Sequence, residues 1–136
     1  MLLTEKDETF IYIHFINSLG KLLSNKSIAK LILKNPNFFN PGLFYDVCVG
    51  QMFQNDQFFK DKPNAVQVII FHDMVEVCNP LGSYASKHKV DMFYYTLGNF
   101  NPKVRTKRCA LRLLGIVNAK LVKKYGKDAV LKTNVG

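Results

Sequence analysis

Val66-Gln67-Val68-Ile69-Ile70-Phe71-His72-Asp73-Met74-Val75-Glu76-Val77 is an apolar run that carries into polar groups, and it is followed closely by Asn79-Pro80-Leu81-Gly82-Ser83. Val, Ile and Phe in series favour a strand. The proline then presets one turn angle, and the glycine supplies a conformation closed to other residues. Val66 to Val77 therefore reads as the first strand of a sheet, with the acids Asp73 and Glu76 at its far end. Downstream, Asp91 to Leu97 and Cys109 to Val117 read as two more strands, with Asn79 to Lys89 and Gly98 to Arg108 as the turns. Connections of about ten residues leave no room for crossover helices, so the expected sheet is an antiparallel three-stranded meander.

Upstream, Phe10, Ile13, Ile16, Leu19 and Leu23 recur at helical spacing, which predicts an amphipathic helix over Thr9 to Ser24, with Gly20 loosening it locally. A second helix is expected after an Asn25 or Ser27 cap, burying Ile28, Leu31 and Ile32 and stopping before Asn35-Pro36. Asn35 to Gly42 reads as loop, Leu43 to Val49 as one or two helical turns ending at Gly50, and Phe53, Phe58 and Phe59 as a cover on the sheet. Lys60 to Asn64 is the expected hinge between a helical part, 1–64, and a sheet part, 65–136. Beyond the sheet, Asn118 should cap a helix through Lys120 to Tyr125, with Gly126 closing it and Asp128 opening one more turn. The fold class is α+β: N-terminal helices, a three-stranded antiparallel meander, and a C-terminal helix.

At 136 residues the chain reads as a single domain, and a single domain of this size buries roughly two-thirds of its unfolded surface. Apolar residues at 48% and charged residues at 21% argue against intrinsic disorder. The charge is lopsided: seven lysines against six acids give residues 1–64 a net +1, whereas twelve Lys or Arg against four acids give residues 65–136 a net +8. Such a field favours polyanions, so DNA or RNA is the expected partner if the surplus is used. The expected contacts are Lys87, Lys89, Lys103, Arg105, Lys107, Arg108 and Arg112, with Tyr84, Phe93, Tyr94, Tyr95 and Phe100 interleaved either as stacking platforms or as strand residues alternating into the core.

Cys48, Cys78 and Cys109 are odd in number and contain no CxxC pair, so a disulfide framework is not expected. The apolar stretch Phe10 to Leu19 follows Glu5, Asp7 and Glu8 where a signal sequence carries basic residues, and it is too short to span a bilayer. No membrane association and an intracellular setting, nucleus or cytoplasm, are the expectation.

Asp73 is the acid placed to ligate Mg²⁺ or Mn²⁺, with Glu76 the weaker second. Residues three apart on a regular strand face opposite sides, so the two share one ion only if the strand bulges, and a solvated strand end is the simpler account. His72, Asp73 and His88 as a small metal-dependent hydrolase, or His72, Cys78 and His88 around zinc, match no standard spacing. Gly82 to Lys87 lacks the second glycine and the ending of a phosphate loop.

The run Val66 to Ser83, followed by His88-Lys89, Phe93-Tyr94-Tyr95-Thr96-Leu97-Gly98-Asn99 and Lys123-Lys124-Tyr125-Gly126, resembles a large, poorly characterised group of animal proteins of transposon-derived character. Leu22 to Asn25 and Asp46 to Gly50 belong to the same resemblance. A meander whose first strand carries an acid, followed by a helix, is similar to the opening of the ribonuclease-H-like fold of DDE transposases. That resemblance implies Asp73 as a ligand of one of two catalytic metal ions, with further acids supplied by later strands and helices. Members of the group often carry a second acid where Met74 stands, and the chain ends at Gly136, before such a fold is complete. The implied protein is a truncated fragment with an incomplete core, not catalytic alone, taking Mg or Mn only if a longer product completes the site. A non-enzymatic nucleic-acid-binding or assembly module, self-associating through exposed sheet edges, is the alternative.

Overall fold

The computed structural model describes residues 10–33, 46, 50–77 and 89–135. They form strands β1 (Ile11–Tyr12), β2 (Val68–Glu76), β3 (Lys89–Leu97) and β4 (Arg112–Asn118), and helices α1 (Phe15–Ser24), α2 (Lys26–Leu33), α3 (Gln51–Asn55), α4 (Gln57–Asp61), α5 (Pro102–Arg105), α6 (Ala119–Tyr125) and α7 (Lys127–Val135). The strands make one antiparallel sheet in the order β1-β4-β3-β2. The α+β class therefore holds, and the three expected strands are consecutive neighbours. The strand count is corrected from three to four.

The fourth strand comes from a segment expected to be helical. Ile11 pairs with Ile116 and Tyr12 with Gly115, and the Ile13 amide donates to the Leu114 carbonyl at 2.7 Å. Helix α1 begins only at Phe15. Ile-Tyr-Ile suits a strand as well as a helix, and an available partner strand decides between them. Gly115 makes the approach feasible, because a Cβ there would lie 3.0 Å from the Ile11 carbonyl oxygen.

The described residues divide into two compact units: 10–18, 71–77, 89–94 and 113–135 in one, and 19–33, 46, 50–70 and 95–112 in the other. In the first unit the buried apolar residues are Phe93, Leu114, Val117, Val122 and Val130. Asn118 caps α6 through its side chain, which accepts from the Lys120 amide. Gly126 ends the helix at φ +83°, ψ 159°, a region essentially reserved for glycine. The single turn expected from Asp128 is instead the nine-residue α7, with Asp128 in its first turn, where a carboxylate suits the helix dipole.

In the second unit Leu22, Tyr95, Leu97, Phe100 and Ala110 are buried. Burial of each large side chain among them stabilises by about 1.5–3 kcal/mol. Asn25 accepts from the Ser27 amide at the start of α2, as expected, but Leu31, expected in the core, is 50% exposed. Phe53 and Phe59 stack on each other at 4.3 Å, Phe58 is 54% exposed, and Lys62 lies over the Phe58 ring. Lys60 and Asp61 finish α4, which Asp56 caps, and the Ala65 amide closes a turn onto the Lys62 carbonyl. The expected loop at 35–42, the turns at 43–49 apart from Asp46, and the connection through 78–88 lie outside the described residues.

The connection expected as a plain turn between the second and third strands is structured. Asn101 caps α5 with Pro102 in its first turn, a short 3₁₀ turn covers Arg108–Ala110, and β4 starts at Arg112 rather than Cys109. Among the described residues no helix is long and apolar enough to cross a membrane.

Candidate functional site

The positions with groups able to carry chemistry fall into three sets. Asp73 and Glu76 are both exposed on β2. Among the described residues no three His, Cys, Asp or Glu side chains gather in a way that would hold a metal ion. His88, Cys78, Lys87 and Tyr84 lie outside the described residues.

Arg105 is the second group, and it requires a correction. It was expected to face nucleic acid, yet its side chain is only 12% exposed. Nη1 donates to Asp46 Oδ1 at 2.6 Å and Nη2 to Asp46 Oδ2 at 2.9 Å, a bidentate pair. Nη2 also donates to the carbonyls of Gly98 and Phe100 at 2.6 and 2.8 Å, while Nε is buried with no partner among the described atoms. A guanidinium committed in this way holds the chain and cannot also clamp a phosphate.

Around it, other residues of the resemblance prove to be structural. Asn99, 5% exposed, accepts from the Gln67 amide at 2.7 Å and donates to the Ala65 carbonyl at 3.1 Å, while the Gly98 amide donates to the Gln67 carbonyl. Thr96 donates to the Ala110 carbonyl at 3.1 Å. Thr96 and Arg105 thus tie the α5 segment to the end of β3, Asp46 holds the Arg105 side chain, and Gly98 and Asn99 tie the same end of β3 to Ala65 and Gln67. That braced segment presents Lys103, Lys107 and Arg108 outward, all three exposed. Arg112 is half-buried on β4, and Lys89 half-buried on β3.

Three of the interleaved aromatics are closed to bases. Phe93, Tyr95 and Phe100 are 1%, 0% and 2% exposed, and Tyr94 stacks on Phe71 at 5.5 Å. Of their two expected roles, the core position is the one observed for Phe93, Tyr95 and Phe100, while Tyr94 is half-buried.

The third group was not legible as a site. His72 lies 5.7 Å from the Phe93 ring, with Nδ1 3.7 Å from Oδ1 of Asp91 and Nε2 against the Lys127 ammonium. Asp91 is 2% exposed, and its Oδ1 has no hydrogen-bond partner among the described atoms. Nε2 of His72 thus meets a surface amine while Nδ1 faces the buried carboxylate. The alternation of β3 gave a signal for it: Asp91 shares the face of Phe93 and Tyr95.

Helix α6 adds cations beyond those expected. Lys120, Lys123 and Lys124 occupy one exposed face, while Leu121 and Val122 turn to the other side. Comparison of the chain with family models, with curated proteins and with solved structures finds no match in any of the three.

Proposed function

We propose that this chain is a transposon-derived, non-enzymatic module that binds the nucleic-acid backbone through cations displayed by the α5 segment of one unit and, separately, by α6 of the other. The observation that carries the reading is compositional and positional together. Residues 92–127 hold nine Lys or Arg and no acid, and Lys103, Lys107, Arg108, Lys120, Lys123 and Lys124 among them are exposed. An acid-free cationic stretch on structured backbone favours phosphates, contacts that position nucleic acid without reading its bases. The ribonuclease-H-like part of the proposal draws support from the consecutive antiparallel neighbours β2, β3 and β4 followed by α6. An intracellular setting, nucleus or cytoplasm, suits a chain with the exposed free thiol of Cys109.

Salt titration of binding to a fluorescent duplex and a matched single strand tests the proposal. Affinity should fall linearly on a log–log salt plot, and neutralising Lys103, Lys107 and Arg108 together should reduce the slope by up to about 3. No binding at low ionic strength, or a slope untouched by both this triple variant and its Lys120, Lys123 and Lys124 counterpart, refutes it.

A further inference from the structure

We infer, building on the nucleic-acid reading above, that Thr106 is the acceptor for a protein kinase that selects basic substrates, and that its phosphate withdraws the α5 segment from nucleic acid. Residues 92–127 contain two threonines and no serine. Thr96 is 3% exposed and donates to the Ala110 carbonyl, so it is closed to an enzyme. Thr106 is exposed. It follows the last residue of α5 at φ −82°, ψ −7°, its amide donates to the Val104 carbonyl, and its hydroxyl forms no hydrogen bond among the described residues.

The charge around Thr106 selects the partner. Lys103 stands three residues before it, one helical turn away, and Lys107 and Arg108 follow it directly, all three exposed. Arg105 adds nothing to this display, because Asp46 and two carbonyls hold it. With no acid between 92 and 127, a substrate groove lined by carboxylates is attracted and one lined by cations is repelled. In the transfer, Thr106 Oγ1 bonds to the γ-phosphorus of a nucleoside triphosphate, the bond to the β-phosphate oxygen breaks to release the diphosphate, and the hydroxyl proton passes to the catalytic aspartate of the kinase.

The product changes the sign of the locality. A phosphothreonine carries a charge of about −1.5 to −2 and three strong acceptor oxygens. Set among the three exposed cations Lys103, Lys107 and Arg108, it leaves that surface at about +1 to +1.5. Those groups then have a phosphate in cis, so each contact with a nucleic-acid phosphate must displace a charge-assisted one already made. Lys120, Lys123 and Lys124 belong to the other unit and keep their charge, so binding weakens without being abolished.

Incubating the 136-residue chain with the catalytic domain of a basic-directed Ser/Thr kinase and Mg·ATP, followed by peptide mass mapping, should place a phosphate on Thr106. Thr106→Val should lose that phosphate and bind a fluorescent duplex as the parent chain does. Replacing Lys103, Lys107 and Arg108 together with Ala should slow incorporation by about tenfold, since the charges that attract the groove are gone. In the salt titration the phosphorylated chain should show a log–log slope smaller by about 1.5 than the unmodified chain, and Thr106→Glu one smaller by about 1, with circular dichroism unchanged. Thr106 left unmodified while other hydroxyls are phosphorylated, incorporation indifferent to the triple variant, or equal slopes for modified and unmodified chains that both bind overturns the inference. An unmodified chain that fails to bind at low ionic strength refutes the nucleic-acid reading itself, and the regulatory half of the inference with it.

Discussion

Replacing Arg105 with Ala separates its two roles. In the structure the residue is largely shielded from solvent, pairs bidentately with Asp46 and donates to the carbonyls of Gly98 and Phe100. Truncation leaves a carboxylate 8% exposed without this cationic partner, and two carbonyls without this donor. Breaking a buried pair by removing one member costs about 3–5 kcal/mol. That is a large part of the roughly 5–15 kcal/mol that stabilises a domain. At about 4 °C per kcal/mol for a chain of this size, Tm should fall by about 12–20 °C. Urea unfolding followed by circular dichroism measures the loss, and the doubly substituted Arg105→Met, Asp46→Leu protein should recover part of it, since no buried charge is then stranded. Arg105→Lys discriminates further: it keeps the charge but cannot fork to both carboxylate oxygens, so it should lose stability by more than about 1 kcal/mol. A loss below about 1 kcal/mol for Arg105→Ala, with no coupling to Asp46, would refute the bracing role and return Arg105 to the cationic surface.

Gly126→Ala should cost about 1–3 kcal/mol by backbone strain alone, because the site is open to a Cβ but closed by its φ; an unchanged urea midpoint would count against the observed conformation. Asp91→Asn should leave stability unchanged or raise it by about 1 kcal/mol at neutral pH, since it removes a buried charge whose Oδ1 has no hydrogen-bond partner; a loss above that figure would mean that the approach of His72 is a strong ion pair. Leu97→Ala, at a fully buried position on β3, should cost about 2–5 kcal/mol, and a smaller loss would place the core elsewhere.

Several elements follow from local chemistry alone. Asn118, Gly126 and Asn25 act on their own few neighbours, so the start of α2 and both ends of α6 are readable from composition. The strand character of Val68–Glu76 and Lys89–Leu97, and the antiparallel order that short connections impose, are of the same kind. The basic bias of residues 65–136 is a property of the string and needs no coordinates.

Other features depend on partners distant in the chain. The apolar run from Val66 lies at the sheet edge, while Lys89–Leu97, flanked on both sides, holds the most buried side chains. Burial follows from the number of neighbouring strands, which hydropathy does not encode. Ile11 and Tyr12 became a strand because β4 was there to pair with them. Arg105 and Asp46 are 59 residues apart, and His72 and Lys127 are 55 apart, so neither pairing has a spacing to read. The neighbouring cations Lys103 and Arg105 differ in surroundings for one physical reason: a guanidinium is a surface charge until folding brings a carboxylate and two carbonyls within 3 Å of it.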